Sequence, residues 1–282
     1  MDIAIQRAKA EVFRQMHSGP KILVLPNAWD VVSARMIERA GFSAIATTSA
    51  GIAFSLGYPD GQEISREEML LAITRIAAAV KVPVTADVEA GYGNRPEDAA
   101  QTAKRVIEAG AVGMNLEDTT SVPRRALADL SLQLEKIAAV QETGRGLGVP
   151  IVLNARTDVY LLEVGAAERR YGEALLRLAA FRDAGADCLF VPGLRDQATI
   201  QRLVAELQYP VNILAVPGSP SIPELEKLGV ARVSLGSGAM RAALGVLAKI
   251  TQELKSTGTY ANLEDAPSHT ELNQLMRLSS EE

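Results

Sequence analysis

The chain has 282 residues, 48% hydrophobic and 22% charged, with a net charge of -5 and a single cysteine, Cys188. This balance argues against the basic footprint of a nucleic-acid binder or a polybasic membrane patch. One cysteine allows no internal disulfide, which points to a reducing, cytoplasmic compartment. The opening MDIAIQRAKAEVFRQM lacks the apolar core of a signal peptide, and no uninterrupted apolar run reaches the length of a membrane span.

In chain order, KILVLPN (21–27) reads as a first strand. IERAGFSAIATT (37–48) then reads as the end of a helix, a glycine and a second strand. REEMLLAITRIAAAV (66–80) has helical spacing and leads into the strand VPVTADV (82–88). PEDAAQTAKRVIEAG (96–110) opens on Pro96, Glu97 and Asp98, a suitable first helical turn. The helix–glycine–strand phrase returns in VIEAGAVGMNLE (106–117), FRDAGADCLFVP (181–192) and ELEKLGVARVSL (224–235). Its glycines, Gly41, Gly110, Gly185 and Gly229, suit the left-handed residue that closes a helix. VPIVLNART (149–157) and YPVNILAV (209–216) complete eight strands. Strand–helix alternation implies a parallel sheet, and eight units favour a closed (β/α)8 barrel over an open doubly wound sheet. Residues 1–255 are expected to form this single barrel domain. Residues 256–282 are expected to form a tail, turn-rich and then helical, that packs on a neighbour or frays.

Active sites of such barrels lie at the C-terminal strand ends. Side chains alternate along a strand. In VPVTADVE, Thr85, Asp87 and Glu89 therefore share the face opposite Val84, Ala86 and Val88. By the same alternation Asn115 pairs with Glu117, and Asn154 with Arg156. Three consecutive strands thus aim Asp87, Glu89, Glu117 and Arg156 at one mouth. Three carboxylates in one place repel one another unless a cation or a structural ion-pair network compensates them. All-oxygen ligands suit Mg²⁺ or Mn²⁺. Arg156 suits an anionic group of a substrate. The two histidines, His17 and His269, lie away from strand ends, which argues against zinc ligation and a Ser-His-Asp triad. No lysine ends a strand, so a Schiff-base mechanism is set aside. GYGN (91–94) is no dinucleotide fingerprint and reads as a turn that lets backbone approach a ligand. Asp30 reads as a helix cap, and Cys188 as a small buried residue within a strand.

These residues lie in four stretches: LPNAWDVVSARMIERAGFSAIATTSAGIAFSLGYPD (25–60), TADVEAGYGN (85–94), GMNLED (113–118) and NARTD (154–158). Together they resemble the isocitrate lyase/phosphoenolpyruvate mutase superfamily across roughly residues 20–250. The resemblance implies a (β/α)8 barrel whose last helix is exchanged between subunits, in homodimers or homotetramers. It also implies Mg²⁺-dependent chemistry on small 2-oxo or 2-hydroxy acids through an enolate. By the same resemblance, Asp87 is the principal metal ligand, and Glu89 and Glu117 hold the ion through water. Arg156 binds the substrate carboxylate, the backbone at Thr48, Ser49 and Ala50 holds the substrate's other end, and Asp60 lies beside the reacting bond.

One segment departs from the pattern. Isocitrate and methylisocitrate lyases carry a Lys-Lys-Cys-Gly-His lid, whereas DTTSVPRRALADLS (118–131) contains no cysteine, histidine or lysine. It offers Arg124 and Arg125 for an anionic substrate or for solvent. Three readings follow: a Mg²⁺-dependent carbon–carbon lyase or decarboxylase on an oxaloacetate-like acid, a phosphonate mutase or hydrolase, and a non-catalytic binder of 2-oxo acids.

Overall fold

Pro26 interrupts the first strand of the barrel and leaves it in two pieces, β1 (Leu23–Leu25) and β2 (Asn27–Ala28). A proline has no N–H to give to a strand ladder. The computed structural model describes residues 2–120 and 127–277. Its other strands are β3 (Ile45–Thr47), β4 (Val84–Asp87), β5 (Gly113–Glu117), β6 (Val152–Arg156), β7 (Cys188–Phe190), β8 (Val211–Leu214) and β9 (Arg232–Ser234). All pair in parallel in sequence order, β2 with β3 and onward to β9, and β9 pairs with β1. The split strand therefore joins both ends of the sheet. The result is the expected eight-stranded (β/α)8 barrel, its first strand in two segments.

The helices between strands are α2 (Val31–Arg39), α3 (Ser49–Ser55), α4 (Arg66–Ala79), α5 (Pro96–Glu108), α6 (Leu130–Gly146), α7 (Ala167–Asp183), α8 (Gln197–Leu207) and α9 (Ile222–Lys227). The glycines of the repeated phrase take the left-handed conformation, with φ of 87° at Gly41, 91° at Gly110, 101° at Gly185 and 82° at Gly229. Asp30 caps α2, accepting from the Ser33 amide at 2.7 Å. β4 and β5 are buried at every residue, as expected where helices cover the outside of the sheet and side chains fill the inside.

A further helix, α1 (Ile3–Met16), closes the underside of the barrel. Its Phe13 is fully buried. A Cβ on Gly113 would lie 2.9 Å from Phe13 Cε1, Thr85 Oγ1 and Val152 O, so only glycine fits there. Gln6 anchors the helix by donating to the carbonyls of Ile107 and Ala111 at 2.7 and 2.9 Å.

The last long helix, α10 (Gly238–Ser256), behaves differently. Only Met240 in it is buried, while Leu244, Val246, Leu247 and Leu254 are exposed. The chain then turns back through α11 (His269–Arg277), whose Leu275 packs against α2 and whose backbone accepts from Arg35 at 3.0 Å. The described tail thus docks on its own barrel. Among the described residues, no helix is long and apolar enough to cross a membrane.

Candidate active site

Register decides which side chains meet. Asp87 lies beside Asn115, Asn115 beside Asn154, and Glu117 beside Arg156 across the β4–β5–β6 ladder. The inward face of these strands opens into a cavity of about 370 Å³ at their C-terminal ends. Its walls include every residue expected from the sequence: Thr48, Ser49, Ala50, Asp60, Asp87, Glu89, Glu117 and Arg156. Arg124 and Arg125 lie outside the described residues.

Asp87 is held from several sides. Its Oδ2 accepts from the Ser49 amide at 3.0 Å and the Ser49 hydroxyl at 2.9 Å. Its Oδ1 accepts from Asn115 Nδ2 at 3.3 Å. Asn115 is itself oriented, because its Oδ1 accepts from Asn154 at 2.8 Å. Thr48 caps α3 by accepting from the Gly51 amide. The Ser49 amide, expected to face a substrate, is thus committed to Asp87.

Glu89 arrives by a different route from the one its alternation implied. β4 ends at Asp87, and Glu89 takes a left-handed conformation with φ of 52°. The turn, rather than the pleat, aims its carboxylate at the mouth. The side chain is 3% exposed, and its Oε1 has no hydrogen-bond partner. Burial, followed by the charges of Glu117, Asp60 and Asp87, pushes its pKa up to about 9. The GYG turn itself does not line the cavity. Its backbone bonds to the protein: Tyr92 N donates to Gln62 at 2.8 Å, and Gly91 O accepts from Thr102 at 2.7 Å. The expected approach of this backbone to a ligand is not the geometry found.

Glu117 and Arg156 form an ion pair of 2.8 Å, and Thr119 donates to the other Glu117 oxygen. Burial raises Glu117 to about 7 against the pull of Arg156. Arg156 also donates to both oxygens of Asp158, at 2.5 and 2.8 Å, and lies over the Phe190 ring. Asp158 is fixed in turn: its amide donates to buried Asp118 at 3.0 Å, and Asp118 also accepts from Thr157 and Arg177. A network compensates Arg156, as one of the readings allowed, but it does not reach Glu89.

Sequence reasoning passed over Asp158, Gln62, Phe190 and Arg241, all of which line the cavity. Asp158 stands in the NARTD stretch and could have been read there. Arg241 enters from the start of α10 and carries no strand-end signal. Leu161, Leu162, Phe190, Pro192 and Leu214 add apolar surface to the same cavity.

The donor chemistry fits a hard divalent cation, since a buried carboxylate oxygen without a partner feels the charges of three further carboxylates, Glu117, Asp60 and Asp87. Among the described residues, no three acidic, histidine or cysteine side chains converge closely enough to chelate an ion together. One direct ligand, Asp87, with water between the ion and Glu89 or Glu117, is compatible with that spacing.

The sequence profile of the family described as phosphoenolpyruvate phosphomutase matches residues 13–255. The chain belongs to this family. An uncharacterized protein of Mycobacterium tuberculosis is 37% identical over 225 residues, covering 80% of this chain and 81% of that one. The 2-methylisocitrate lyase of Salmonella typhimurium is 28% identical, over 90% of this chain and 88% of its own. The solved structure of oxaloacetate acetylhydrolase with its product oxalate has a TM-score of 0.85 and 27% identity, covering 95% and 93% of the two chains. The phosphomutase family thus includes lyases and hydrolases of small carboxylic acids, and this member shares their barrel.

Proposed function

We propose that this mouth is the site of a Mg²⁺-dependent lyase that cleaves or decarboxylates a small 2-oxo acid resembling oxaloacetate. The observation that carries the reading is the buried, unpartnered Glu89 oxygen among neighbouring carboxylates. Asp87, Glu89 and Glu117 would hold the ion, with Mn²⁺ as a substitute. When bound, it supplies positive charge against the negative charge that develops on the 2-oxo oxygen.

The chain's own residues do the rest. Arg156 takes the substrate carboxylate, its plane fixed beforehand by Asp158 and Glu117. Such preorganisation removes the cost of arranging the fork during reaction. Asp60 stands beside the bond that breaks, and Thr48, Ser49 and Ala50 bound the substrate's other end. Phe190, Leu161 and Leu162 limit water with their apolar side chains in the cavity lining. The exposed apolar side chains of α10 support a homodimer or homotetramer in which a second copy covers them. The single cysteine supports a cytoplasmic location.

Segment 118–131 has no cysteine, histidine or lysine to protonate a large carbanion on a defined face. Decarboxylation or cleavage of a smaller acid can take its proton from solvent. A panel of oxaloacetate, isocitrate, methylisocitrate and phosphonopyruvate, assayed with Mg²⁺ and with chelator, tests this. Chelator-sensitive turnover of oxaloacetate with at most traces on the tricarboxylates is the expected outcome. Isocitrate cleavage at about 1 s⁻¹ or faster contradicts it. Turnover of phosphonopyruvate alone would assign the site to C–P chemistry, and binding of oxaloacetate and phosphonopyruvate without turnover of any of the four would make the chain a 2-oxo acid binder.

A further inference from the structure

The four residues Glu89, Ala90, Gly91 and Tyr92 contain three left-handed conformations, with φ of 52° at Glu89, 89° at Gly91 and 57° at Tyr92. Two of these residues are not glycine. Such conformations persist only where the surroundings over-determine them, and they gather at functional sites. Here the surroundings include a lysine. Lys136 on α6 is 3% exposed, and its Nζ donates to the carbonyls of Ala90 at 2.5 Å and Gly93 at 3.2 Å. It makes no ion pair with an acid among the described residues. An ammonium taken out of water is costly unless hydrogen bonds compensate it, and here the two backbone carbonyls supply them. Burial lowers its pKa to about 8, in keeping with that cost. Thr102 collects the carbonyl between them, that of Gly91. The turn is therefore tied from outside the barrel at three carbonyls, those of Ala90, Gly91 and Gly93, and its inner residue is Glu89.

We propose that Lys136 is a positioning residue for Glu89: by gathering the Ala90 and Gly93 carbonyls, it holds the turn that aims the Glu89 carboxylate into the mouth. Lys136 lies behind the turn and is absent from the cavity wall. It touches neither substrate nor ion and acts only through backbone. The inference rests on the reading that Glu89 serves a cation, so its test carries a readout independent of turnover.

The full-length protein and its Lys136→Met and Lys136→Arg variants are compared by amide hydrogen exchange and by Mg²⁺ calorimetry. Lys136→Met is expected to speed exchange at the Gly91 and Tyr92 amides at least tenfold while the strand amides keep their protection. It is expected to weaken Mg²⁺ binding at least tenfold. Lys136→Arg, which keeps the charge and the donors, is expected to recover most of both. Lys136→Gln, which retains an N–H donor, replaces the methionine variant should that one not fold. Unchanged exchange at Gly91 and Tyr92 overturns the proposal. Glu89→Gln distinguishes a failure of the Lys136 role from a failure of cation binding at Glu89. If Glu89→Gln weakens Mg²⁺ binding and Lys136→Met does not, the role of Lys136 is wrong and the cation reading stands. If neither variant changes Mg²⁺ affinity, the cation reading fails and the proposal falls with it.

Discussion

His17 faces the underside of the barrel, where its Nδ1 lies 2.9 Å from the Phe13 carbonyl and its ring packs edge-on against Phe13. Burial, then the nearby Arg232 charge, holds its pKa down at about 4; Arg14 acts the same way, and Asp187 and the Phe13 carbonyl oppose. An unfolded histidine titrates near 6.5. Between pH 6.5 and 4 the unfolded chain therefore binds a proton that the native chain refuses, so stability falls as the pH falls. The loss reaches about 3 kcal/mol at the lower end of that window. Chemical denaturation of wild type and His17→Gln across pH 4–7 checks it. The wild type should lose stability more steeply below pH 6.5, and parallel curves would show that His17 does not titrate this way. The same scale shows which of these placements strand alternation explains and which it does not. Asp87, Glu117 and Arg156 follow strand alternation and could be read from it. Glu89 reaches the mouth through a left-handed turn that alternation cannot describe. Lys136 reaches the turn from a helix far along the chain, and no local pattern marks such a contact.

At the scale of elements, the helix–glycine–strand phrase was legible because it has a local cause: a glycine free to take positive φ closes each helix. The break at Pro26 was less so, since whether proline ends a strand or splits it depends on which neighbours it pairs with. α10 is the element that leaves most of its apolar side chains exposed. Leu244 and Leu247 are 47% and 52% exposed on a helix with one buried residue. Burying a leucine fully is worth about 1.5–3 kcal/mol, so several on one helix can hold a second copy. Light scattering should give a multiple of the 30.0 kDa chain mass, and Leu247→Lys should shift it toward the monomer. A wild-type monomer at micromolar concentration contradicts this.

For the molecule as a whole, the architecture divides stability from chemistry. The underside is closed by α1, Phe13 and His17, and the upper face gathers the acids, Arg156 and an apolar wall. The fold could be read almost entirely from the chain, because eight repeats of one local unit determine it. The identity of the substrate could not, because it depends on how loops from distant strands share one cavity. The proposed function requires a divalent cation on Asp87 in this cavity. Calorimetric titration of Mg²⁺ into wild type and Asp87→Asn, with oxalate present, measures that site. Asparagine keeps the shape and can still accept from Ser49, so the fold should survive with the charge removed. Saturable binding to wild type and a loss on the order of 100-fold, about 2.7 kcal/mol, in the variant are expected. Equal affinity in the two proteins would contradict the proposed function.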